Sequence, residues 1–333
     1  MKRFSHLFSA FLTIFLFINP LNLAQANPAA EGHSESNHTP KLAYLVSDIH
    51  IPFWEIMSRG IQEQAHTLGY QLEIYSAHNE AKRELKNTIQ AIKQNVSGII
   101  VSPTNSSACV TILELARKAG IPVVISDIGT ESGDYVSYIS SDNFQGAYQI
   151  GQVLTEKMQA LGWQNGSVGI IAIPQARENG KNRTAGFLKA LEEAGIKGGG
   201  LKQQITFSYQ ETYDYSSELI NQTPNLKAIW LQGSNRYQGA LDAIRDSGKE
   251  NEILLLTFDA EPEFLELIPQ GVLIASAMQQ PFLMGSTAVS VLDNFLHGKK
   301  VEKEIKLSVL PISMANIKKM QPTIKRNVLG ILK

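Results

Sequence analysis

The sequence predicts an α/β protein made of two similar doubly wound parallel-sheet lobes. Three observations lead there. Short β-rich runs alternate with helical periods from residue 41 onward. The alternation runs once over 42–140 and again over 168–277. A long helical pattern follows each half, at 144–161 and 282–297. Strands that alternate with helices form a parallel sheet covered on both faces.

The N-terminus reads as a targeting segment. Lys2 and Arg3 give a positive start, residues 7–18 are apolar, and Ala24-Gln25-Ala26 has the small-x-small form of a cleavage site. Residues 1–26 are thus expected to be a signal peptide, cut near Ala26, that sends the chain to the periplasm. The other reading, an uncleaved anchor, meets an apolar run too short to span a bilayer comfortably. Residues 27–40, NPAAEGHSESNHTP, lack large apolar side chains and are expected to be a disordered leader. Its His33 and His38 are read as solvated groups.

In the first half, strands are expected at 42–46, 71–75, 98–101, 122–126 and 135–140, with helices at 53–68, 81–94 and 106–119. Gly69, Gly98 and Gly120-Ile121-Pro122 punctuate their ends. The single cysteine, Cys109, falls on the apolar face of the third helix and reads as core. In the second half, strands are expected at 168–173, 203–206, 228–231, 253–258 and 273–277. Helices are expected at 182–194, 213–222, 238–247 and 263–268. The run Gly195 to Gly200, GIKGGG, falls between a helix and a strand and reads as a plain connection. Past Ile312 the chain reads as a C-terminal extension without site residues.

Composition narrows the function. The chain has 333 residues, a net charge of −1 and 43% hydrophobic residues. That is ample for two cores, and nothing in the charge points to nucleic acid or an anionic membrane. No GxGxxG follows a strand, no GxxxxGK[ST] occurs and no GxSxG elbow is present. The seven histidines are scattered, with His50 alone beside a strand-end loop. No metal cluster, cofactor motif or catalytic set stands out, so an enzyme is not expected.

What recurs is a set of aromatic and hydrogen-bonding residues at the carboxyl ends of successive strands. Phe53 and Trp54 follow the first strand, Asp127 the fourth and Ser141 the fifth. Arg183 stands at a helix start in the second half. Phe207 follows the ITF run, Asn235 follows AIWLQ, Asp259 ends LLLTFD, and Gln279 follows LIASAM. Ligands bind outside the carboxyl ends of parallel strands. Asp carboxylates accept hydroxyl protons, Arg offers a fork of donors, and aromatic rings cover the C–H face of a sugar. Asp142 and Asn143 serve equally as helix caps. Phe207 reads either as a wall or as core.

The segments IPFWEIMSRGIQEQAHTLGY, GIIVSPTNSSA, AGIPVVISD, ISSDNFQGAYQIGQ, NRTAGF, LTFDAEPE and GVLIASAMQQPFLMG resemble the ribose- and galactose-type periplasmic sugar-binding proteins, the type I periplasmic binding protein family. The resemblance runs from Lys41 to about Leu310. It implies a three-strand hinge, crossed near Ser141, Gln280 and Leu307. It also implies lobes made of 41–141 with 280–307 and of 142–279 with 308–333. By the same resemblance Phe53 and Trp54 sandwich a sugar, Asp127 and Asp259 bind hydroxyls, and Arg183 binds the ring. Phe207 faces the ring with Tyr209 as a rival, Gln279 lies on the last crossing strand, and Ser141 sits at the hinge.

The chain departs from the ribose-binding pattern at four places. Ile51 and Ser102 replace Asn, Ile128 replaces Arg, and Gly233-Ser234 replaces Asn-Asp. The implied function is a monomeric, non-enzymatic receptor for a sugar-like ligand. Its partner is an ABC permease or the periplasmic domain of a histidine kinase or chemoreceptor. The alternatives are a receptor for a non-sugar signal feeding a histidine kinase and a sugar-responsive transcription regulator. The second is disfavoured by the signal peptide and the absence of a basic patch.

Overall fold

The first strand, β1 (Lys41–Val46), is buried along nearly its whole length, so its sequence is continuously apolar rather than alternating. The computed structural model that contains it describes residues 39–331. The expected signal peptide and nearly all of the expected leader lie outside the described residues. β1 pairs in parallel with β2 (Gln71–Ser76) and β3 (Gly98–Ser102). β4 (Val123–Ser126) and β5 (Ser137–Ser141) continue the sheet on the β3 side. Helices α1 (Pro52–Thr67), α2 (Ala81–Lys93) and α3 (Ser106–Lys118) connect these strands. Pro52 starts α1 where its missing N–H costs nothing.

After α4 (Asn143–Ala160) a second sheet repeats the plan with β6 (Ser167–Ala172), β7 (Lys197–Gln203), β8 (Leu226–Leu231), β9 (Leu254–Phe258) and β10 (Ala275–Met278). Its connections are α5 (Glu178–Glu193), α6 (Tyr209–Gln222), α7 (Tyr237–Asp246) and the short α8 (Phe264–Leu267). Helix α9 (Pro281–Leu296) then returns to the first sheet, where β11 (Glu304–Leu307) pairs with β5. β12 (Leu310–Ser313) adds an antiparallel edge to β10. The sheet orders are β11-β5-β4-β3-β1-β2 and β12-β10-β9-β8-β6-β7. Both reverse direction at their first strand, β1 and β6. Each lobe thus has its switch-point crevice at the same place.

The chain passes between the sheets after β5, after β10 and between β11 and β12. Hydrogen bonds tie the passages together. Asp142 N–H donates to Leu307 O at 2.9 Å, and Gln280 Nε2 donates to Ser308 O at 2.8 Å. Close helix packing holds α1 against α9. A Cβ on Gly60 would stand 2.2 Å from Phe282 O, and one on Gly285 would stand 2.2 Å from Met57 O.

Several elements differ from the sequence reading. The Gly-rich run is strand, not connection: β7 spans Lys197–Gln203, and the expected strand at 203–206 is mostly turn. β7 is an edge strand paired only with β6, through a register shift at Val168/Ile170. Gly199 lies where a Cβ would strike Thr223 and Ser167, and Gly200 has φ +116. Glycine is rare in strand interiors except at such irregularities, which is why composition pointed to a loop. Helices α5 and α6 start four residues earlier than expected. The fifth strand of each lobe sits one or two residues later than read.

The C-terminal segment is not a loose extension. Helix α10 (Ile317–Thr323) runs into a π-helical turn, Ile324–Val328, whose Ile324 and Val328 join the second lobe's core with Leu329. From α1, Arg59 donates to Gly330 O at 3.1 Å and to Leu329 O at 3.0 Å. Asn327 Nδ2 donates to Gln280 Oε1 at 2.8 Å, at one of the passages.

Candidate functional site

The loops at the carboxyl ends of the two sheets enclose one cavity of about 50 Å³. Its walls include Phe53, Trp54, Asp127, Arg183, Phe207, Asn235, Asp259 and Gln279. The structure therefore brings together eight of the nine residues singled out in the sequence. Ser141 is apart from them. It is buried at the end of β5, its hydroxyl lacks a protein partner, and it is not a wall of the cavity.

The two acids occupy matching turns. Asp127 follows β4 with φ 70, and Asp259 follows β9 with φ 68. Trp54 Nε1 donates to Asp127 Oδ2 at 3.1 Å, while Asp127 Oδ1 has no protein donor. Burial pushes the Asp127 carboxyl up to about 6, opposed chiefly by the charge of Arg183. Asp259 accepts from Gln279 Nε2 at 2.6 Å and faces Arg183 at 3.7 Å. Its pKa is also raised by burial, against the pull of Arg183. Gln279 Oε1 is a second buried acceptor without a partner.

Arg183 is fixed before any ligand arrives. Its Nε donates to Asn143 Oδ1 at 2.8 Å, one Nη donates to Gln232 O at 2.6 Å, and its guanidinium lies 3.9 Å from the Phe258 ring centroid. Asn143 therefore positions Arg183, while Asp142 caps α4 through Gln145 N–H. Phe207 is held at φ 53 by its helix start. Ser208 caps α6, and Glu211 accepts the N–H groups of Ile205, Thr206 and Phe207. The Glu211 carboxylate thus fixes the turn that aims the ring into the cavity. Tyr209, the rival aromatic, is instead bonded to Asp242 and exposed.

Sequence reasoning missed Arg177, Asn179 and Ile173, which also line the cavity. Arg177 is the more telling. It is 8% exposed, and its guanidinium has no hydrogen bond or ion pair among the described residues. It lies 5.7 Å from the Trp54 ring centroid and 5.8 Å from that of Phe207, between aromatics of opposite lobes. Its signal is hidden because Arg at an N-cap carries no capping motif and the helical period is clear only from residue 182. An α5 that begins at Glu178 puts Arg177 in the loop that follows β6, on the cavity side.

The four departures separate into two kinds. Ile51 and Gly233 face the cavity. Ile128 is buried in the first lobe's core, Ser102 bonds to Tyr44 Oη, and Ser234 bonds to Glu261. His50 pairs with Asp48 and is not a wall.

A family model described as a periplasmic binding protein domain matches residues 42–300. The chain belongs to the periplasmic binding protein family. This binding protein is 28% identical to the ribose import binding protein of Bacillus subtilis (strain 168), over 89% of its own length and 95% of that protein's. Among solved structures it is similar to a carbohydrate transporter solute-binding protein from Agrobacterium radiobacter in complex with D-arabinose. That match has TM-score 0.80 and 21% identity, covering 88% and 100% of the two chains. An ABC transporter periplasmic solute-binding protein from Actinobacillus succinogenes 130z with bound D-allose gives TM-score 0.77 at 22% identity, over 84% and 99%.

Proposed function

We propose that this binding protein is a periplasmic receptor that closes on a small polyhydroxylated ligand, a sugar or sugar-like molecule, and presents it to a membrane partner. The observation that carries this is the pairing of unmet acceptors with flanking aromatics. Asp127 Oδ1 and Gln279 Oε1 are buried acceptors waiting for donors, set among Phe53, Trp54 and Phe207. Hydroxyl protons answer the first and a C–H ring face answers the second. Arg177 adds donors that seek an acceptor on the same ligand. At about 10–15 Å³ per water-sized centre, a cavity of about 50 Å³ holds roughly four waters, which argues for a small ligand and against an oligosaccharide.

On this reading the lobes comprise 41–141 with 280–307 and 142–279 with 308–333, and eight of the nine candidate residues contact the ligand. Phe53, Trp54 and Phe207 form the walls. Asp127, Arg183, Asn235, Asp259 and Gln279 make polar contacts, and Ser141 serves the hinge. The chain is exported and cut near Ala26, acts as a monomer and performs no chemistry on its ligand. The two lobe positions form the bistable element that a partner reads. An ABC permease is the partner the relatives' names favour. A histidine-kinase or chemoreceptor domain is the second reading. Fractionation tests the setting. The processed chain should appear in the periplasm. Recovery from the cytoplasm with an intact N-terminus overturns the reading.

A further inference from the structure

We propose that Asp48, His50 and His78 form a binding site for a divalent transition ion of the zinc class at the outer rim of the first lobe. One ligand atom from each of the three lies within 4.8 Å of the others. His50 Nδ1 stands 3.0 Å from Asp48 Oδ1, and His78 Nδ1 stands 3.9 Å from the same oxygen. Ligands bound tetrahedrally at ~2.0–2.1 Å stand roughly 3.3 Å apart, a value these distances bracket. The imidazoles face one another, with ring centroids 5.2 Å apart and planes tilted by 30°.

The fold builds this arrangement. β1 and β2 are adjacent, with Val46 opposite Ser76, so the loops that follow them leave the sheet side by side. Ala77 N–H donates to Val46 O at 2.8 Å, Asn79 N–H to Ser47 O at 2.8 Å, and Ile49 N–H to Ser76 Oγ at 3.2 Å. Ser47 Oγ donates to Asn79 Oδ1 at 2.7 Å. These bonds hold His78 at φ 51 and Asn79 at φ 60, which aims His78 back at Asp48. The backbone is thus ordered without an ion.

Two imidazole nitrogens and one carboxylate suit zinc, cobalt, nickel or copper better than calcium or magnesium, which prefer all-oxygen shells. Three protein ligands leave positions open to water. No local motif marks this trio, because residue 78 is 28 positions from His50 and joins it only through strand pairing. His50 also leads directly into Ile51, Pro52, Phe53 and Trp54. An ion here fastens the loop that forms one wall of the cavity.

The test uses untagged, secreted chain carrying its own leader, titrated with Zn²⁺ by calorimetry and with Co²⁺ by visible absorption. The expected result is one ion per chain, d–d bands typical of nitrogen-ligated cobalt, and a higher Tm with Zn²⁺. H50A/H78A should weaken binding at least tenfold, while H33A/H38A should leave it unchanged. Both rim histidines are exposed, so their removal spares the fold. The proposal is overturned if no saturable binding occurs, if H50A/H78A binds as well as the parent, or if affinity follows the leader histidines.

Discussion

Asp127 and Asp259 are structural counterparts across the two lobes. Each follows the fourth strand of its sheet, at φ 70 and φ 68. Each donates its backbone N–H to the next strand, Asp127 to Ile139 O at 3.0 Å and Asp259 to Ala277 O at 2.9 Å. The left-handed conformation turns both carboxylates off the sheet edge and into one cavity. Asp and Asn visit this region far more readily than most other residues.

This conformation separates two effects of substitution. Asn keeps the turn and removes the charge, whereas Ala also strains the backbone by about 1 kcal/mol. D259N should therefore weaken ligand binding at least tenfold, the equivalent of losing a charge-assisted hydrogen bond of about 1.5–3 kcal/mol. Its Tm should stay near that of the parent. D259A should lose the same affinity and also melt earlier. Calorimetric titration and thermal melts of both variants check this.

Arg177 sets binding against stability. A largely buried guanidinium without a hydrogen bond burdens the folded state, because the charges of Asp127 and Glu84 repay its desolvation only in part. Burial lowers its pKa, yet an arginine stays charged. R177M should raise the Tm of ligand-free protein and weaken ligand binding at least tenfold. A lower Tm with unchanged affinity would assign Arg177 a structural role.

Glu84 makes stability depend on pH. It accepts from Thr104 N–H at 2.8 Å and from Thr104 Oγ1 at 3.0 Å, and burial pushes its carboxyl up to about 7. A carboxyl whose pKa is higher folded than unfolded binds a proton on folding. The resulting stabilisation is complete below its ordinary value of 4.5 and is lost as pH rises through about 7. Glu261, also near 7, and Asp127, near 6, act in the same direction. The parent should gain stability as pH falls from about 8 to about 6. E84Q still bonds Thr104 twice, Oε1 accepting from its N–H and Nε2 donating to its Oγ1, and should reduce that gain by about 1 kcal/mol. Denaturant titrations at the two pH values measure it.

The contact between α1 and α9 leaves no room for a methyl group at Gly285, where a Cβ would stand 2.2 Å from Met57 O. G285A should cost about 1–3 kcal/mol through overpacking, read as a lower denaturation midpoint with unchanged slope. At Gly233 a Cβ meets only ordinary contacts, the nearest 3.4 Å away at Asn235 Oδ1. G233V should therefore spare stability while intruding on the cavity.

The buried strands were legible in the sequence because doubly covered strands are continuously apolar, as in Ile99–Val101 and Val123–Ile125. The strand-end residues were legible for the same reason, since strand ends locate the crevice. β7 was not, because edge pairing with a bulge tolerates Lys197-Gly198-Gly199-Gly200 against local propensity. Arg177 and the trio Asp48, His50 and His78 were not, because their significance lies in neighbours brought by tertiary pairing. The docking of Leu329 and Gly330 on Arg59 is likewise set by a contact 270 residues distant.

The most direct test is a thermal-shift screen of pentoses, hexoses, hydroxy acids and non-hydroxylated osmolytes, followed by calorimetric titration of the strongest hit into the parent, D127N and D259N. A monosaccharide-sized polyhydroxylated compound should give the largest shift. Ribose should rank below it, because Ile51 and Gly233 remove polar groups from the walls. Affinity should fall at least tenfold in both variants. A strongest hit without hydroxyl groups, or a hydroxylated one that binds D127N and D259N as tightly as the parent, would contradict the proposed function.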